Sequence, residues 1–240
     1  GKTAVITGAS RGIGAGIASE CLQRGMNIAV CARNTPPMDD TANSLPIAAD
    51  VSDESAVERL CAMTVERFGA IDLWINNAGV LDPIAPLRSC SSKDVQRHVD
   101  INLMGVFHGT KSFINHVRSR KGEGVLINIS SGASTSAYAG WGAYCASKSA
   151  VDMLTEVAHL EEAESGLRAY SVAPGIIDTD MQALIRSCDA EQFPLVEKFR
   201  ELKREDGFSS LDFVAKSLLA LAFDPEKRPD TVCTRLPPGQ

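Results

Sequence analysis

Residues 3–25 read TAVITGASRGIGAGIASECLQRG. The first five, Thr3 to Thr7, are a short apolar and β-branched run that ends at glycine, the pattern of a buried strand. A helical stretch follows over residues 12–25. Between the two, Gly8, Gly12 and Gly14 allow a tight turn and let a pyrophosphate come close to the helix N-terminus. The spacing is T-G-x-x-x-G-x-G and not G-x-G-x-x-G. A glycine-rich turn also serves purely structural ends, but its place between a first strand and a helix favours dinucleotide binding.

The same alternation continues outward. Strand patterns lie at 3–7, 27–32, 46–49, 71–75, 124–130 and 168–173, and helical stretches at 12–25, 53–68, 92–120, 144–164 and 209–223. Ser52 or Asp53 caps the helix over 53–68, and Gly69 closes it. Such alternation predicts an α/β protein with a doubly wound parallel sheet, right-handed crossovers and helices on both faces. Two segments depart from it. Residues 34–46 hold too much Pro, Asp and Asn for a helix, so one crossover lacks its helix. Residues 176–208 form a long insertion with amphipathic pieces near 181–187 and 194–204. A substrate lid is the expected role, and a decorative excursion the alternative.

The 240 residues suit one domain over 1–240, and 44% hydrophobic with 22% charged residues is ordinary for a globular protein. A net charge of −6 argues against nucleic acid as a partner. Seven scattered cysteines without C-x-x-C suit a reducing, cytoplasmic setting. His98, His108, His116 and His159 show no metal-ligand spacing, so no metal is expected and the first three take packing or surface roles. No apolar run is long enough for a membrane span, and no signal peptide is visible. The chain opens on a strand without Met, so a few preceding residues are expected.

The cofactor type is read next to the glycine turn. An NAD enzyme needs an acid at the end of the second strand for the ribose 2′-hydroxyl. Here the sequence is Cys31-Ala32-Arg33-Asn34, with no carboxylate before Asp39. Arg33 there and Arg11 in the turn suit a 2′-phosphate, which favours NADP(H). Further on, Tyr144 and Lys148 are four apart, one turn apart on one helix face. An ammonium beside a phenol lowers the phenol pKa, so Tyr144 is expected to fall toward neutrality and to exchange a proton with a carbonyl or alcohol oxygen. Ser131, at a strand end 13 residues upstream, can hydrogen-bond the same oxygen. Ser130 reads as a strand-end residue.

Together, T-G-A-S-R-G-I-G, Asn76-Asn77-Ala78-Gly79, Asn102, Ser131, Tyr144-x-x-x-Lys148 and Pro174-Gly175 resemble the short-chain dehydrogenase/reductase family over nearly the whole chain. That resemblance implies a single Rossmann-like domain with about seven strands. It implies cofactor contacts at Gly8, Ser10, Arg11, Gly12, Ile13 and Gly14, and at Arg33. Asp50 with Val51 would take the adenine end, and Asn77, Ala78 and Gly79 would lie against the cofactor. Pro174, Gly175, Ile177 and Thr179 would cover the nicotinamide. Asn102, Ser131, Tyr144 and Lys148 would be the catalytic set, with Asn102 holding a water in a proton relay to Lys148 and Lys148 holding the ribose. The catalytic half is similar to the sepiapterin reductase branch and its bacterial relatives, some of which reduce benzil. It shares GW-x-x-YC-x-x-K-x-A-x-DML (140–154), LEE (160–162) and APG-x-x-DTDMQ (173–182). The pterin-anchoring aspartate of that branch is missing at Val232-Cys233, which counts against pterin specificity.

The expected activity is NADPH-dependent reduction of a ketone or 1,2-diketone with Tyr144 as general acid. The alternatives are a 3-oxoacyl carrier-protein reductase and, in another class, a non-catalytic NADP(H) sensor. The pocket is expected to be lined by Ser131, Ala133, Tyr138, Trp141, Ile176 and Met181, with Leu184 and Phe208 from the lid. Apolar residues outside one stripe (Leu103, Met104, Val106 and Phe107; Val151, Met153, Leu154 and Val157), with the resemblance, imply a homodimer or homotetramer.

Overall fold

A computed structural model describes residues 1–239. Fully buried runs such as Ala4-Val5-Ile6 and Ile28-Ala29-Val30 form central strands because each strand is covered on both faces. The strands are β1 (Thr3–Thr7), β2 (Asn27–Ala32), β3 (Ser44–Ala48), β4 (Leu73–Asn76), β5 (Gly124–Ile129), β6 (Leu167–Ala173) and β7 (Cys233–Arg235). They make one parallel sheet in the order β3-β2-β1-β4-β5-β6-β7. The order reverses beside β1, so the crevice above β1 and β4 is where such sheets bind ligands.

The helices are α1 (Gly12–Gln23), α2 (Glu54–Phe68), α3 (Ser92–Val99), α4 (Gly105–Arg120), α5 (Gly142–Glu161), α6 (Asp180–Ser187), α7 (Val196–Arg204) and α8 (Leu211–Phe223). One core cluster joins Ile17 of α1 and Leu218 of α8 to Ile6, Ile28 and Ile75. A second, on the other face, joins Leu60 of α2 and Phe113 of α4 to Val5, Trp74 and Leu126. Each such fully buried side chain contributes roughly 1.5–3 kcal/mol. Asp53, not Ser52, caps α2, its carboxylate accepting from the Ser55 N–H at 3.0 Å, and Gly69 closes it at φ 83°. The β2–β3 crossover has no helix, as its composition implies.

Two elements differ from the sequence reading. The single helix expected over 92–120 is divided by a π turn at Asp100–Met104, which carries Asn102. β7 was not legible, because it is three residues long and none of them is buried; it forms by pairing with Ser171–Ala173.

Asn76 joins the sheet to the helices above it. Its Nδ2 donates to Asn128 Oδ1 at 2.9 Å, Asn128 Nδ2 donates to Thr155 Oγ1 at 2.8 Å, and Trp74 Nε1 donates to Asn76 Oδ1 at 2.8 Å. Such a ladder is stable in the interior because its members satisfy one another. Gly109 lets α4 ride over it; a Cβ there would stand 2.1 Å from Asn76 Oδ1.

Candidate active site

The glycine turn is held from below by Asn77. Its Nδ2 donates to the carbonyls of Thr7 (2.9 Å) and Gly8 (3.1 Å), while the N–H groups of Asn77 and Ala78 donate to Thr7 Oγ1. Asn77 thus shapes the cradle with its side chain. Gly8 has φ 67°, and a Cβ there would lie 2.6 Å from Ala78 Cα; at Gly14 it would lie 2.6 Å from both Asn77 Nδ2 and Gly8 O. Only glycine leaves this space. No side chain caps the start of α1, so its first N–H groups remain for an anion. The cradle therefore fits a pyrophosphate. Ser10 is exposed over it, and Ile13 packs against the core below.

Arg33 is exposed at the end of β2 and pairs with no carboxylate among the described residues. Arg11 behaves differently: its Nη1 is 2.7 Å from Asp180 Oδ2, both side chains largely exposed. The glycine turn is therefore bridged to the first residue of α6, and Thr179 Cγ2 lies 3.5 Å from where a Gly12 Cβ would be. The Asp50 carboxylate is taken by Ser52 N (3.0 Å) and Oγ (2.8 Å). Val51 is buried under Gly105, with its carbonyl facing His108 Nδ1 at 2.9 Å. Gly79 lies beside Asn102. Pro174 and Gly175 (φ 89°) follow β6, and the Ile177 side chain turns into the core.

Ser131, Tyr144 and Lys148 come together. Ser131 leaves β5 on an extended backbone, and its Oγ accepts from the Ala133 N–H at 3.2 Å. That lone-pair contact leaves the Ser131 proton to donate, and the hydroxyl pulls the Tyr144 phenol pKa down. Lys148 Nζ donates to the Ile129 carbonyl at 2.7 Å and lies 5.7 Å from the Tyr144 ring centre. Tyr144 and Lys148 are both buried on α5.

The electrostatics differ from the expectation for Tyr144. Burial pushes its phenol above the ordinary value, and only the Ser131 hydroxyl opposes this. The cause is desolvation, which here outweighs any pull from a lysine whose ammonium is directed at a carbonyl. Lys148 itself is lowered to about 8 by burial, against the opposing pull of Asp152.

Asn102 sits in the π turn between α3 and α4. It is fully buried, its Oδ1 accepts from Val80 N–H (2.8 Å), and its Nδ2 donates to Val80 O (2.8 Å) and faces His98 Nε2 (3.0 Å). With both amide protons used, this side chain braces the chain beyond the N-N-A-G segment.

The pocket residues divide. Ala133, Trp141, Tyr144 and Ile185 share one apolar cluster with Phe193, Val196 and Phe199, and Tyr138 and Met181 pack against it. Trp141 stacks on Phe193 at 4.6 Å with rings 9° apart and sits 5.6 Å from Phe199. It is thus the seat of the 176–208 segment, and it meets Tyr144 edge-on at 5.7 Å. Leu184 is turned outward instead, because Gln182 and Ile185 occupy the inward face of α6. Phe208 lies between the cations of Arg186 and Lys203, away from the cluster. Ile176 is half-buried, its carbonyl accepting from Ser209 N–H at 2.9 Å. Phe193, Val196 and Phe199 were missed in the sequence, although their three-residue spacing is a helical apolar stripe. His98 was read as a packing or surface residue; its ring reaches Asp82, Asn102 and Ser147.

No helix among the described residues is long and apolar enough to cross a membrane, and no His, Cys, Asp or Glu cluster among them could hold a metal.

Comparison with known proteins agrees with this geometry. The short chain dehydrogenase family model matches residues 2–190. The benzil reductase ((S)-benzoin forming) of Bacillus subtilis is 34% identical over 223 residues, covering 90% of this chain and 91% of that protein. The NADPH-dependent pterin aldehyde reductase of Arabidopsis thaliana is 33% identical over 194 residues, covering 78% of each. The crystal structure of the KRED1-Pglu enzyme superposes with a TM-score of 0.88 at 30% identity, covering 98% of this chain and 100% of that one. The chain belongs to the short-chain dehydrogenase family, as an oxidoreductase that works between alcohol and carbonyl with a nicotinamide cofactor.

Proposed function

We propose that the protein is an NADPH-dependent carbonyl reductase acting on a ketone or 1,2-diketone, with Tyr144 as general acid. The observation that carries this is the buried, proton-retaining Tyr144 phenol with the Ser131 hydroxyl beside it. The bound nicotinamide supplies the hydride. Tyr144 gives its proton to the carbonyl oxygen, a favourable transfer because an alkoxide is far more basic than a phenol. Ser131 donates a hydrogen bond to that oxygen as its charge develops. Lys148, in this reading, holds the ribose hydroxyls and steadies the phenolate left behind. Gly8, Gly12 and Gly14 with the start of α1 hold the pyrophosphate. The similarity to benzil reductase supports the diketone class.

The test is a panel of benzil, sepiapterin and an acetoacetyl thioester, followed by loss of NADPH absorbance. Benzil is expected to be consumed. Consumption of the thioester alone makes the protein an oxoacyl reductase; tight NADPH binding without any consumption makes it a sensor.

Preference for NADPH rests on Arg33 and Arg11. The Arg11–Asp180 pair is exposed, and such pairs contribute little, so this guanidinium is free to exchange Asp180 for a 2′-phosphate. Arg33→Ala is expected to raise KM for NADPH roughly tenfold, the loss of one hydrogen bond to a charged group, while KM for NADH stays put. Equal effects on the two cofactors sink the assignment.

Residues 176–208 act in this reading as the lid of a single domain over 1–240, closing on Trp141. Met104 at the end of the π turn, Phe107 on α4, and Met153 and Val157 on α5 are exposed, whereas Val106 and Val151 are buried in the core. The exposed four support a homodimer through these helices. Seven free cysteines support a cytoplasmic setting.

A further inference from the structure

His98 is buried to 1% exposure, and its ring contacts determine its protonation. Nδ1 lies 2.6 Å from the Asp82 carbonyl oxygen. A carbonyl only accepts, so Nδ1 carries a proton. Nε2 faces Asn102 Nδ2 and Ser147 Oγ, each at 3.0 Å. The orientation of the Asn102 amide is set elsewhere, because Val80 N–H requires an oxygen and Val80 O requires a nitrogen. One proton of Asn102 Nδ2 therefore points at His98, and Nε2 must be a lone pair. The Ser147 proton goes to Nε2 or to the Tyr144 carbonyl, also 3.0 Å away. The neutral ring with its proton on Nδ1 satisfies every partner.

A second proton on the ring does not. It places N–H against N–H across the Asn102 contact at 3.0 Å. Burial and the Lys148 ammonium hold the ring below the usual histidine range, while the Asp82 carbonyl and carboxylate pull the other way. The Tyr144 phenol ring stands edge-on to it at 6.2 Å. The same three bonds join three segments: the loop at Asp82, the π turn at Asn102, and the turn of α5 that carries Tyr144, Ser147 and Lys148.

We infer that His98 is a positioning residue of the proton-transfer site, holding the Asn102 turn and the Tyr144 turn in register only as the neutral, Nδ1-protonated ring, so that protonating it switches turnover off at acid pH. The inference rests on the reductase reading. A histidine that serves packing alone predicts no link between its own titration and turnover.

The experiment uses the full chain with NADPH and benzil between about pH 5 and 9. Wild type, His98→Gln and His98→Leu are compared for kcat, and NADPH affinity is measured separately by fluorescence. Leu is expected to lower kcat roughly 10- to 100-fold at neutral pH, with NADPH Kd within about twofold. Gln keeps an acceptor oxygen for Asn102 and is expected to recover much of kcat and to lose the acid limb. In the wild type alone, the acid-limb midpoint should coincide with the His98 titration seen by ring nitrogen NMR, which keeps the test open if a variant fails to fold. Unchanged kcat in Leu, an acid limb that survives in Gln, or separated midpoints overturn the inference while leaving the reductase reading intact. A wild type that reduces no carbonyl overturns both.

Discussion

Tyr144→Phe is expected to lower ketone reduction by roughly 1,000-fold, in the range lost with a general acid, while NADPH affinity and folding stay close to wild type. The change removes one oxygen and keeps the ring. That ring is buried between Trp141 and His98, which meet it edge-on at 5.7 and 6.2 Å, and phenylalanine fills the same space. The Ser131 hydroxyl keeps its contact with the Ala133 N–H. The glycine cradle and Arg33 belong to other segments, so cofactor binding has no reason to move. The measurements are kcat with a diketone, NADPH Kd by fluorescence, and the melting temperature. A variant that keeps a tenth of the wild-type rate assigns the proton to another group.

Local spacing made most of the site legible, and burial accounts for what was not. Tyr144 and Lys148 had to share a face because α5 is a helix, and the glycine turn follows from steric rules that need no tertiary context. The direction of the Tyr144 shift depends on how much protein covers it, which residue spacing does not encode. The bracing contacts of Asn102 also needed the fold. It lies in a π turn, and its amide is consumed by the Val80 backbone, a long-range pairing invisible in DINLM. Leu184 and Phe208 were assigned to the pocket from their position in the insertion, yet the phase of α6 turns Leu184 out and two cations claim Phe208. His98 was hidden for a related reason. A histidine on a helix is usually packing, and two of its three partners lie 16 and 49 residues away.

Lys148→Met is expected to lower turnover by roughly 100- to 1,000-fold and to change how stability depends on pH. When Tyr144 gives up its proton, a phenolate remains where burial already disfavours charge. The Lys148 ammonium, 5.7 Å from that ring, is the nearby positive charge that offsets it, and removing preorganised charge costs such factors. Because Lys148 titrates at about 8, the wild-type reduction rate should fall as pH rises past that value. The methionine variant, already without the charge, should show no such fall. Stability carries the opposite sign. The folded value of about 8 lies below the ordinary lysine value of 10.5, so between them the unfolded chain binds more protons than the folded one. Wild-type stability therefore rises with pH across that window. Methionine has nothing to titrate, and it leaves the Ile129 carbonyl without its donor at every pH. The difference in unfolding free energy between variant and wild type should therefore shift toward the wild type by on the order of 2–3 kcal/mol from pH 8 to pH 10.5. Denaturant unfolding at several pH values reads this directly. A difference that stays constant across the window shows that burial does not lower the Lys148 pKa in the folded chain.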